Sequence, residues 1–430
     1  MRFCWRCSQI AGSAQRLLFE YINYYLKEAL YIIMNKEEWI SISDHYLMGT
    51  YKRFPVVFTR GKGMKLWDTE GREYLDFVAG IAVCSLGHAH PAVSNAIKDQ
   101  ADKLVHVSNL YHIDIQIEYA RLLIQHAALD KVFFCNSGAE ANEGAIKLAK
   151  KYGNDRSDGI KNEIVTMVDS FHGRTMATIT ATGQDKFHKG FKPLLAGFQY
   201  VPFNDLGAIR KAISEKTCAV MIEPIQAEGG IRVPDPDYFQ SVRRLCDEKD
   251  VLLILDEVQV GMGRTGTLFA HEQDGIIPDI VTMAKAMGNG FPIGAVLAKD
   301  SVAVAFDPGS HASTFGGNPL AMAAAKATLE TLLSEDLISN CRLRGGYFMN
   351  MLNDLRKKYP IIREVRGRGL LIGVELDCEV AGIIKKCMDR GVLIASAGGR
   401  VLRFVPPLIV AEQEIDQVVE ILDGVLREGA

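Results

Sequence analysis

Lys285 is the residue whose position in this sequence most needs a chemical explanation. It follows the apolar run 280-IVTMA-284 and stands directly before the glycine-containing segment AMGNG. Lysine is rarely buried without a partner, and one interpretation is a side chain that reaches solvent along its apolar stem. The alternative is a desolvated amine with a lowered pKa, suited to form a Schiff base.

Two further groups stand at the ends of neighbouring apolar runs. Asp256 closes VLLILD, where it is either a helix cap or an acid that holds a proton on a ring nitrogen. Ser137, Gly138 and Ala139 stand where KVFFCN gives way to a helical pattern. Backbone N–H groups at such a helix start form an anion cup, although an ordinary capped helix would have the same sequence.

A phosphate cup, a buried acid and a Schiff-base lysine are the three parts that a pyridoxal phosphate site requires. Two other residues fit the same hypothesis. Phe171 is predicted to stack on the ring face, and Gln259 to hydrogen-bond the phenolic oxygen of the ring. The joint order of these residues along one sheet is a stronger signal than any one of them.

The surrounding pattern explains how these residues would meet. From about residue 130, short apolar runs rich in Val and Ile alternate with helical patterns, which predicts an α/β fold with a mostly parallel sheet covered by helices. In such sheets ligands bind beyond the carboxyl ends of the strands. The predicted strands are KVFFC, EIVTMVD, CAVMIEP, VLLILDE, DIVTMAK and AVLAK.

The remaining segments suggest three parts of the chain. A hairpin is predicted around Glu70-Gly71, a helix after GHAHP, and helices from Pro319 to about Lys358, followed by short strands. We therefore expect an N-terminal segment (34–86), a large cofactor-binding domain (87–318) and a small C-terminal domain (319–430).

Bulk properties exclude several classes of protein. The 430 residues carry 49 basic and 52 acidic side chains, a net charge of −3, which gives no indication of a nucleic-acid or membrane partner. Nine scattered cysteines indicate a reducing compartment and hence a cytoplasmic location. A zinc site at the lone CxxC of Cys4 and Cys7 is disfavoured. Residues 1–33 are expected to be an extension outside the fold, with an organelle presequence as the alternative.

The segment 261-GMGRTG-266 matches the dinucleotide fingerprint but lacks its context. Five residues separate it from the preceding strand, and the residues after it, TLFAHEQDGIIPD, do not resemble the helix that should hold a pyrophosphate. A nucleotide site is therefore not expected here.

Seven motifs resemble those of the class III pyridoxal-phosphate aminotransferases, the group of the ornithine and acetylornithine enzymes. They are FFCNSGAEANE, FHGRT, EPIQAEGG, ILDEVQVGMGRTG, MAKAMGNGFPIGA, STFGGNPLA and LRFVPPL. The resemblance implies the type I aminotransferase fold and a homodimer with shared active sites. It also implies that Thr314 reaches the phosphate in the neighbouring subunit and that Ser313 lies near the substrate.

The resemblance also assigns substrate-binding residues. Arg403 would bind the carboxylate beside the reacting carbon of glutamate or 2-oxoglutarate, and Glu228 would neutralise it when an ω-amine substrate binds, since an unpaired buried arginine is costly. Arg174 would grip the far carboxylate. The alternative is that Arg403 and Glu228 are ordinary surface charges.

One position points to the substrate. Ornithine aminotransferases carry a tyrosine where the resemblance places Ile81 of this chain. An apolar residue suits an acylated nitrogen and predicts transfer from N-acetylornithine to 2-oxoglutarate. Ala227 and Val260 depart from the family's glycine and threonine. The alternatives are an aminotransferase acting on succinylornithine, N-succinyl-diaminopimelate or 4-aminobutyrate, an aminomutase on the same fold, or a cofactor-bound structural protein.

Overall fold

The computed structural model describes residues 34–429, so the predictions made for residues 1–33, including the Cys4–Cys7 pair, lie outside it. The described chain forms two compact units, one of residues 34–61 and 66–73 and the other of residues 62–65 and 74–429. No helix in this part of the chain is long and apolar enough to cross a membrane.

The first unit begins with helix α1 (Lys36–Tyr46). Asn35 accepts a hydrogen bond from the Glu38 N–H (2.9 Å), and the Glu38 carboxylate accepts one from the Asn35 N–H (2.9 Å), which satisfies two exposed donors of the first turn. The strands β1 (Phe58–Lys62), β2 (Lys65–Asp68) and β3 (Glu73–Asp76) follow along the chain. Gly71 has a φ of +78° in the turn between β2 and β3, as the hairpin prediction requires.

The second unit contains a seven-stranded sheet in the order β4-β10-β9-β8-β7-β5-β6. Its strands are β4 (Lys131–Cys135), β5 (Glu163–Met167), β6 (Phe198–Val201), β7 (Thr217–Ile222), β8 (Leu252–Asp256), β9 (Ile280–Met283) and β10 (Gly294–Ala298). All adjacent pairs are parallel except those of β10, which is antiparallel to both β4 and β9. The predicted mostly parallel sheet is confirmed.

Helices cover this sheet and position the turn that carries Lys285. Helix α5 (Gly138–Arg156) packs along β7, β9 and β10, and helix α11 (Pro319–Ser334) packs against the 3₁₀ turn Lys285–Gly288. Because every residue of β7, β8, β9 and β10 is buried, polar chemistry on these strands is confined to their ends. The other helices that precede α11 are α2 (Ala79–Ala82, a single left-handed turn), α3 (Pro91–Ala101), α4 (Asp114–Gln125), α6 (Met176–Ala181), α7 (Asp185–His188), α8 (Leu206–Ala212), α9 (Tyr238–Lys249) and α10 (Asp300–Ala303).

A separate antiparallel sheet lies in the C-terminal part of the chain. Its order is β11-β12-β15-β14, formed by β11 (Ile362–Arg368), β12 (Leu371–Leu376), β15 (Val401–Phe404) and β14 (Ala395–Ser396). Helix α12 (Leu337–Lys358) packs on β11 and β12, and the remaining elements are α13 (Ala381–Met388), β13 (Val392–Leu393) and α14 (Glu412–Arg427). The division into domains at residues 87 and 319 stays a prediction.

The GMGRTG segment has a structural role. It forms turns, with Gly263 and Gly266 at positive φ. The next element along the chain is a short 3₁₀ helix (Ala270–Asp274). The fully buried Arg264 donates hydrogen bonds to the carbonyls of Leu370 (3.1 Å) and Pro406 (2.5 Å), and burial lowers its pKa to about 10. The segment therefore ties the two sheets together, and its glycines do not begin a nucleotide-binding helix.

Two adjacent glycines of α12 test how closely this helix packs. A methyl group at Gly345 would lie 2.2 Å from the carbonyl oxygen of Gly369, whereas one at Gly346 would meet no atom within 4 Å. Gly345→Ala should lower the free energy of unfolding by about 1–3 kcal/mol through overpacking. Gly346→Ala should raise it by about 0.5–1 kcal/mol, because alanine favours the helix. Urea denaturation of both variants checks this; equal effects would contradict the observed packing.

Candidate active site

A cavity of about 400 Å³ opens at the carboxyl ends of the parallel strands. It collects residues from distant parts of the sequence, as the strand-end rule predicts. Of the predicted site residues, those that line it are Ser137, Gly138, Ala139, Phe171, Arg174, Asp256, Gln259 and Lys285.

The start of α5 forms the floor of one end of the cavity. The Ser137 hydroxyl accepts a hydrogen bond from the Glu140 N–H (3.1 Å), which caps the helix. The N–H groups of Gly138 and Ala139 are first-turn donors, which have no partner within a helix. A methyl group at Gly138 would lie 2.6 Å from Val258. Only glycine therefore allows the helix start to pack against the segment that follows Asp256.

Asp256 is buried and held by three donors. Its Oδ2 accepts a hydrogen bond from Asn142 Nδ2 (2.7 Å) and lies 2.8 Å from His172 Nδ1, while its Oδ1 accepts one from the Val258 N–H (3.0 Å). No helix begins at Asp256, so the helix-cap interpretation does not apply. The carboxylate is fixed in the cavity wall.

Sequence patterns did not assign a role to either side-chain partner of Asp256. Asn142 stands four residues after Gly138 on α5, and its amide is held by Thr282 Oγ1 (2.7 Å) and the His172 carbonyl (2.7 Å). The one available signal was a polar residue on the buried face of an otherwise apolar helix.

Lys285 has a half-buried side chain that faces the cavity. Its φ of +47° turns the chain sharply after β9 ends at Met283, a conformation that is uncommon outside glycine. Within residues 34–429 its amine has no hydrogen bond or ion pair. Burial lowers the pKa of Lys285, although the charges of Glu228 and Asp256 oppose the shift. This is the environment of an amine that acts in its neutral form.

Beside the cavity, Arg403 pairs with Glu228, and Gln259 bridges them. Arg403 Nη1 donates to the Glu228 carboxylate and to Gln259 Oε1 (3.1 Å), and Gln259 Nε2 donates to Glu228 (3.3 Å). Burial opposes the ionised form, but the Arg403 charge lowers the pKa of Glu228 overall. The buried Arg403 Nε has no partner among the described residues, so this arginine retains a donor for a ligand.

A second buried acid, Glu223, joins the Phe171 segment to the loop that carries Glu228. It accepts hydrogen bonds from the Phe171 N–H (2.8 Å) and the Ala227 N–H (3.3 Å). Burial and the negative charge of Asp256 raise the pKa of Glu223 well above its usual value. Phe171 is thereby fixed at the cavity edge.

Arg174, which lines the cavity, is exposed, and the predicted residues Ser313 and Thr314 lie outside the cavity lining. Arg174 is exposed, with its guanidinium 4.0 Å from the centre of the Phe187 ring. Ser313 accepts a hydrogen bond from Asn136 (3.1 Å), which lines the cavity. Thr314 is exposed and lies outside the cavity of its own chain.

The predicted specificity position lies in a strained turn. Residues 79–82 all have positive φ values of 49–66°, a left-handed turn that costs about 1–2 kcal/mol per residue other than glycine. Ile81 is partly exposed in this turn, and Val83 lines the cavity. Asp76 Oδ1 accepts hydrogen bonds from the N–H groups of Val78 (2.8 Å) and Ala79 (2.9 Å).

The two departures from the family pattern lie outside the cavity wall. Ala227 and Val260 are buried in one apolar cluster together with Ile231. They contribute to the packing of the loop that carries Glu228, and neither lines the cavity.

The residues present fit pyridoxal 5′-phosphate. The first-turn N–H donors of α5 would hold a phosphate group, and Gly138 has no side chain to obstruct it. A buried carboxylate is fixed in the same cavity, and an amine with no partner among the described residues lies on its wall. These groups match the phosphate, ring nitrogen and aldehyde of that cofactor.

Comparisons with known proteins agree with this geometry. Residues 46–426 match the family model "Aminotransferase class-III". An acetylornithine aminotransferase of Caldanaerobacter subterraneus is 54% identical over 390 residues, which cover 90% of this chain and 99% of that protein.

Two solved structures have the same fold. The ornithine aminotransferase of Toxoplasma gondii has a TM-score of 0.90 at 34% identity and covers 94% of this chain and 97% of its own. The N-acetylornithine aminotransferase of Stenotrophomonas maltophilia has a TM-score of 0.78 at 39% identity, with 90% and 98% covered. The type I aminotransferase fold is therefore confirmed.

The histidine that braces the left-handed turn yields a pH prediction. His88 Nε2 lies 2.7 Å from Asp76 Oδ2, and this contact raises the pKa of His88 from 6.5 to about 9. Because the pKa of His88 is higher in the folded protein, its contact with Asp76 stabilises the fold fully below pH 6.5, and this stabilisation is lost as the pH rises through about 9. His88→Gln should therefore lower the free energy of unfolding by about 1–2 kcal/mol at pH 6 and much less at pH 10.

Urea denaturation at pH 6, 8 and 10 measures this difference. The exposed His126→Gln controls for the loss of a histidine as such. If His88→Gln lowers the free energy of unfolding by the same amount at every pH, the His88–Asp76 contact does not stabilise the turn.

Proposed function

The chain belongs to the class III aminotransferase family, and from this premise we propose that it transfers the terminal amino group of N2-acetyl-L-ornithine to 2-oxoglutarate. The amino group replaces the keto oxygen of 2-oxoglutarate and gives L-glutamate, while the donor becomes N-acetyl-L-glutamate 5-semialdehyde. The observation that carries the transaminase assignment is the Lys285 amine, which has no partner in the described structure and faces a cavity with a fixed buried carboxylate. The acyl-donor assignment is supported by the 54% identity to an acetylornithine aminotransferase.

The cofactor is pyridoxal 5′-phosphate. When bound, it supplies an aldehyde that takes up the amino group and a ring that accepts electrons from the substrate carbon. We assign the phosphate to Ser137, Gly138 and Ala139, the ring nitrogen to Asp256, and covalent attachment to Lys285. Phe171 would lie against the ring face, and Gln259 would be within reach of its phenolic oxygen.

Lys285 is assigned a second task once substrate is bound, which is to move a proton at Nζ. A general base works best when its pKa lies near the operating pH. Burial lowers the pKa of Lys285 toward that range. Asp256 stays in place because Asn142 and His172 hold Oδ2, so it can face a protonated ring nitrogen.

Arg403 and Glu228 would let one site accept two different substrates. Glutamate carries a carboxylate beside the reacting carbon, and the acylated ω-amine has none there. Glu228 pairs with Arg403 when that carboxylate is absent, which avoids a buried unpaired charge. When glutamate binds, Glu228 turns away and Arg403 takes the substrate carboxylate. The unpartnered Nε of Arg403 supports this assignment.

The far end of either substrate is assigned to Arg174. Its guanidinium stacks on Phe187 and lies 5.5 Å from the centre of the Phe171 ring. A planar guanidinium held in this way suits bidentate binding of a carboxylate.

Two features support a homodimer with shared sites, and a third supports a reducing compartment. Thr314 is exposed and outside its own cavity, which fits a role at a second copy of the chain. Phe315, Leu110 and Tyr111 are large apolar side chains that are more than half exposed. The seven cysteines in the described part of the chain are all free, which fits the cytoplasm.

The substrate is tested by steady-state assay with 2-oxoglutarate as acceptor. N-acetylornithine should have the highest kcat/KM when compared with succinylornithine, N-succinyl-diaminopimelate, 4-aminobutyrate and ornithine. Lys285→Ala should lower kcat by about a thousand-fold or more, because it removes both the attachment point and the base. Turnover of 4-aminobutyrate without turnover of N-acetylornithine would overturn the substrate assignment, and turnover without any keto-acid acceptor would indicate an aminomutase.

The switch is tested by a pair of substitutions with opposite effects. Arg403→Gln should raise the KM for glutamate about 100-fold, because a hydrogen bond between charged groups is lost. Its effect on the KM for N-acetylornithine should be less than about tenfold, because that substrate does not need the positive charge. Glu228→Gln should instead raise the KM for N-acetylornithine more than the KM for glutamate. Parallel changes for both substrates in both variants would show that the pair is structural.

A further inference from the structure

Two arginines of the C-terminal sheet stand in one row. Arg366 of β11 is directly opposite Gly373 of β12, and Gly373 is directly opposite Arg403 of β15. Residues opposite each other on adjacent strands project to the same face of a sheet. The two guanidinium groups therefore flank Gly373 on one face.

The loop of residues 226–232, which carries Glu228, lies on this row. Arg366 Nη2 and Nε donate to the Gly230 carbonyl (2.6 and 3.1 Å), and Nε also donates to the Ile231 carbonyl (3.1 Å). Arg403 binds the Glu228 carboxylate of the same loop. One arginine thus holds the loop backbone, and the other holds its switching side chain.

Gly373 provides the seat for the loop between the two arginines. A methyl group at this position would lie 2.9 Å from both Cβ and Cγ1 of Ile231. Ile231 is fully buried there. The loop can approach the sheet this closely only because the middle residue of the row has no side chain.

The loop backbone needs external support to keep its shape. Ile231 has a φ of +54° and Gly230 one of +104°, and positive φ is strongly unfavourable for a β-branched residue. Backbone hydrogen bonds in both directions between Gln226 and Arg232 (3.1 and 3.2 Å) close the base of the loop. Arg366 binds the carbonyls of the two strained residues, 230 and 231, which directly precede Arg232.

The charge of Arg366 is balanced by other groups. Its Nη1 donates to Glu364 (2.6 Å) and Glu375 (2.5 Å). Arg366 therefore pairs with these two carboxylates, whereas Glu228 pairs with Arg403. The contact between Arg366 and the loop is to the backbone.

We propose that Arg366 is a positioning residue that fixes the 226–232 loop, so that Glu228 leaves and rejoins Arg403 by rotation of its side chain alone. This inference rests on the proposed function of the Glu228–Arg403 switch. A loop released from Arg366 would misplace Glu228, and the substrate that depends on neutralised Arg403 would bind less well. Glutamate, which replaces Glu228 on Arg403, would be spared.

The test compares KM values for both substrates in the holoenzyme. Arg366→Gln should raise the KM for N-acetylornithine about tenfold, as expected for misplacement of a binding group, and leave the KM for glutamate unchanged or lower. Gly373→Ala displaces Ile231 and leaves both arginines in the sequence. It should likewise raise the KM for N-acetylornithine more than the KM for glutamate. Arg363→Gln is the control, because Arg363 lies on the same strand and its ion pair with Asp377 is exposed.

Hydrogen exchange of the same proteins gives a readout that is independent of turnover. The amides of Gln226 and Arg232 should exchange faster in Arg366→Gln, while the core strands β7 and β8 keep their wild-type rates. Unchanged loop exchange, or equal changes in the two KM values, would overturn the positioning role. Wild-type enzyme that does not use N-acetylornithine would instead overturn the proposed substrate, and the exchange result would still decide whether Arg366 holds the loop.

Discussion

The Lys285 amine makes no hydrogen bond or ion pair within residues 34–429, although three acidic side chains act on its pKa, and each of these acids is bound by other donors. Asp256 is held by a side-chain amide, an imidazole and a backbone N–H. Glu223 accepts two backbone N–H groups, and Glu228 is bound by an arginine and a glutamine. An ion pair with one of these acids would stabilise the charged amine and reduce its reactivity.

The fold enforces this arrangement by placing each group at an element end. Asp256 ends β8, Lys285 follows β9, and Ser137 caps α5, so all three converge where the parallel strands terminate. The switch comes from the separate antiparallel sheet, which presents Arg403 on a short strand. Arg264 links the two sheets through backbone carbonyls.

Part of the site can be predicted from local sequence. Asp256 and Lys285 could be identified because a charged residue directly follows an apolar run, and the strand-end rule brings such residues together. The short strand β6 was not predicted, because FQYV mixes polar and aromatic residues and is mostly half-exposed. The positive φ of Lys285 is likewise invisible in the sequence, since neighbouring packing imposes it.

The rest depends on contacts between distant residues. Asn142 reaches Asp256 across 114 positions, and Glu228 meets Arg403 across 175. The latter pair was found only through resemblance to a family. The role of Arg366 depends on the register of three strands. Two of them, β12 and β15, are buried at almost every residue, so no alternation of apolar and polar side chains marks that register in the sequence.

The central role of Lys285 is tested most directly by locating the covalently bound cofactor. Borohydride reduction of the purified holoenzyme fixes an aldehyde cofactor to the amine that holds it, and mass spectrometry of the tryptic peptides identifies that amine. We predict the added mass on Lys285 alone. Cofactor fixed to another lysine, or cofactor that is bound yet attached to no lysine after reduction, would contradict this role.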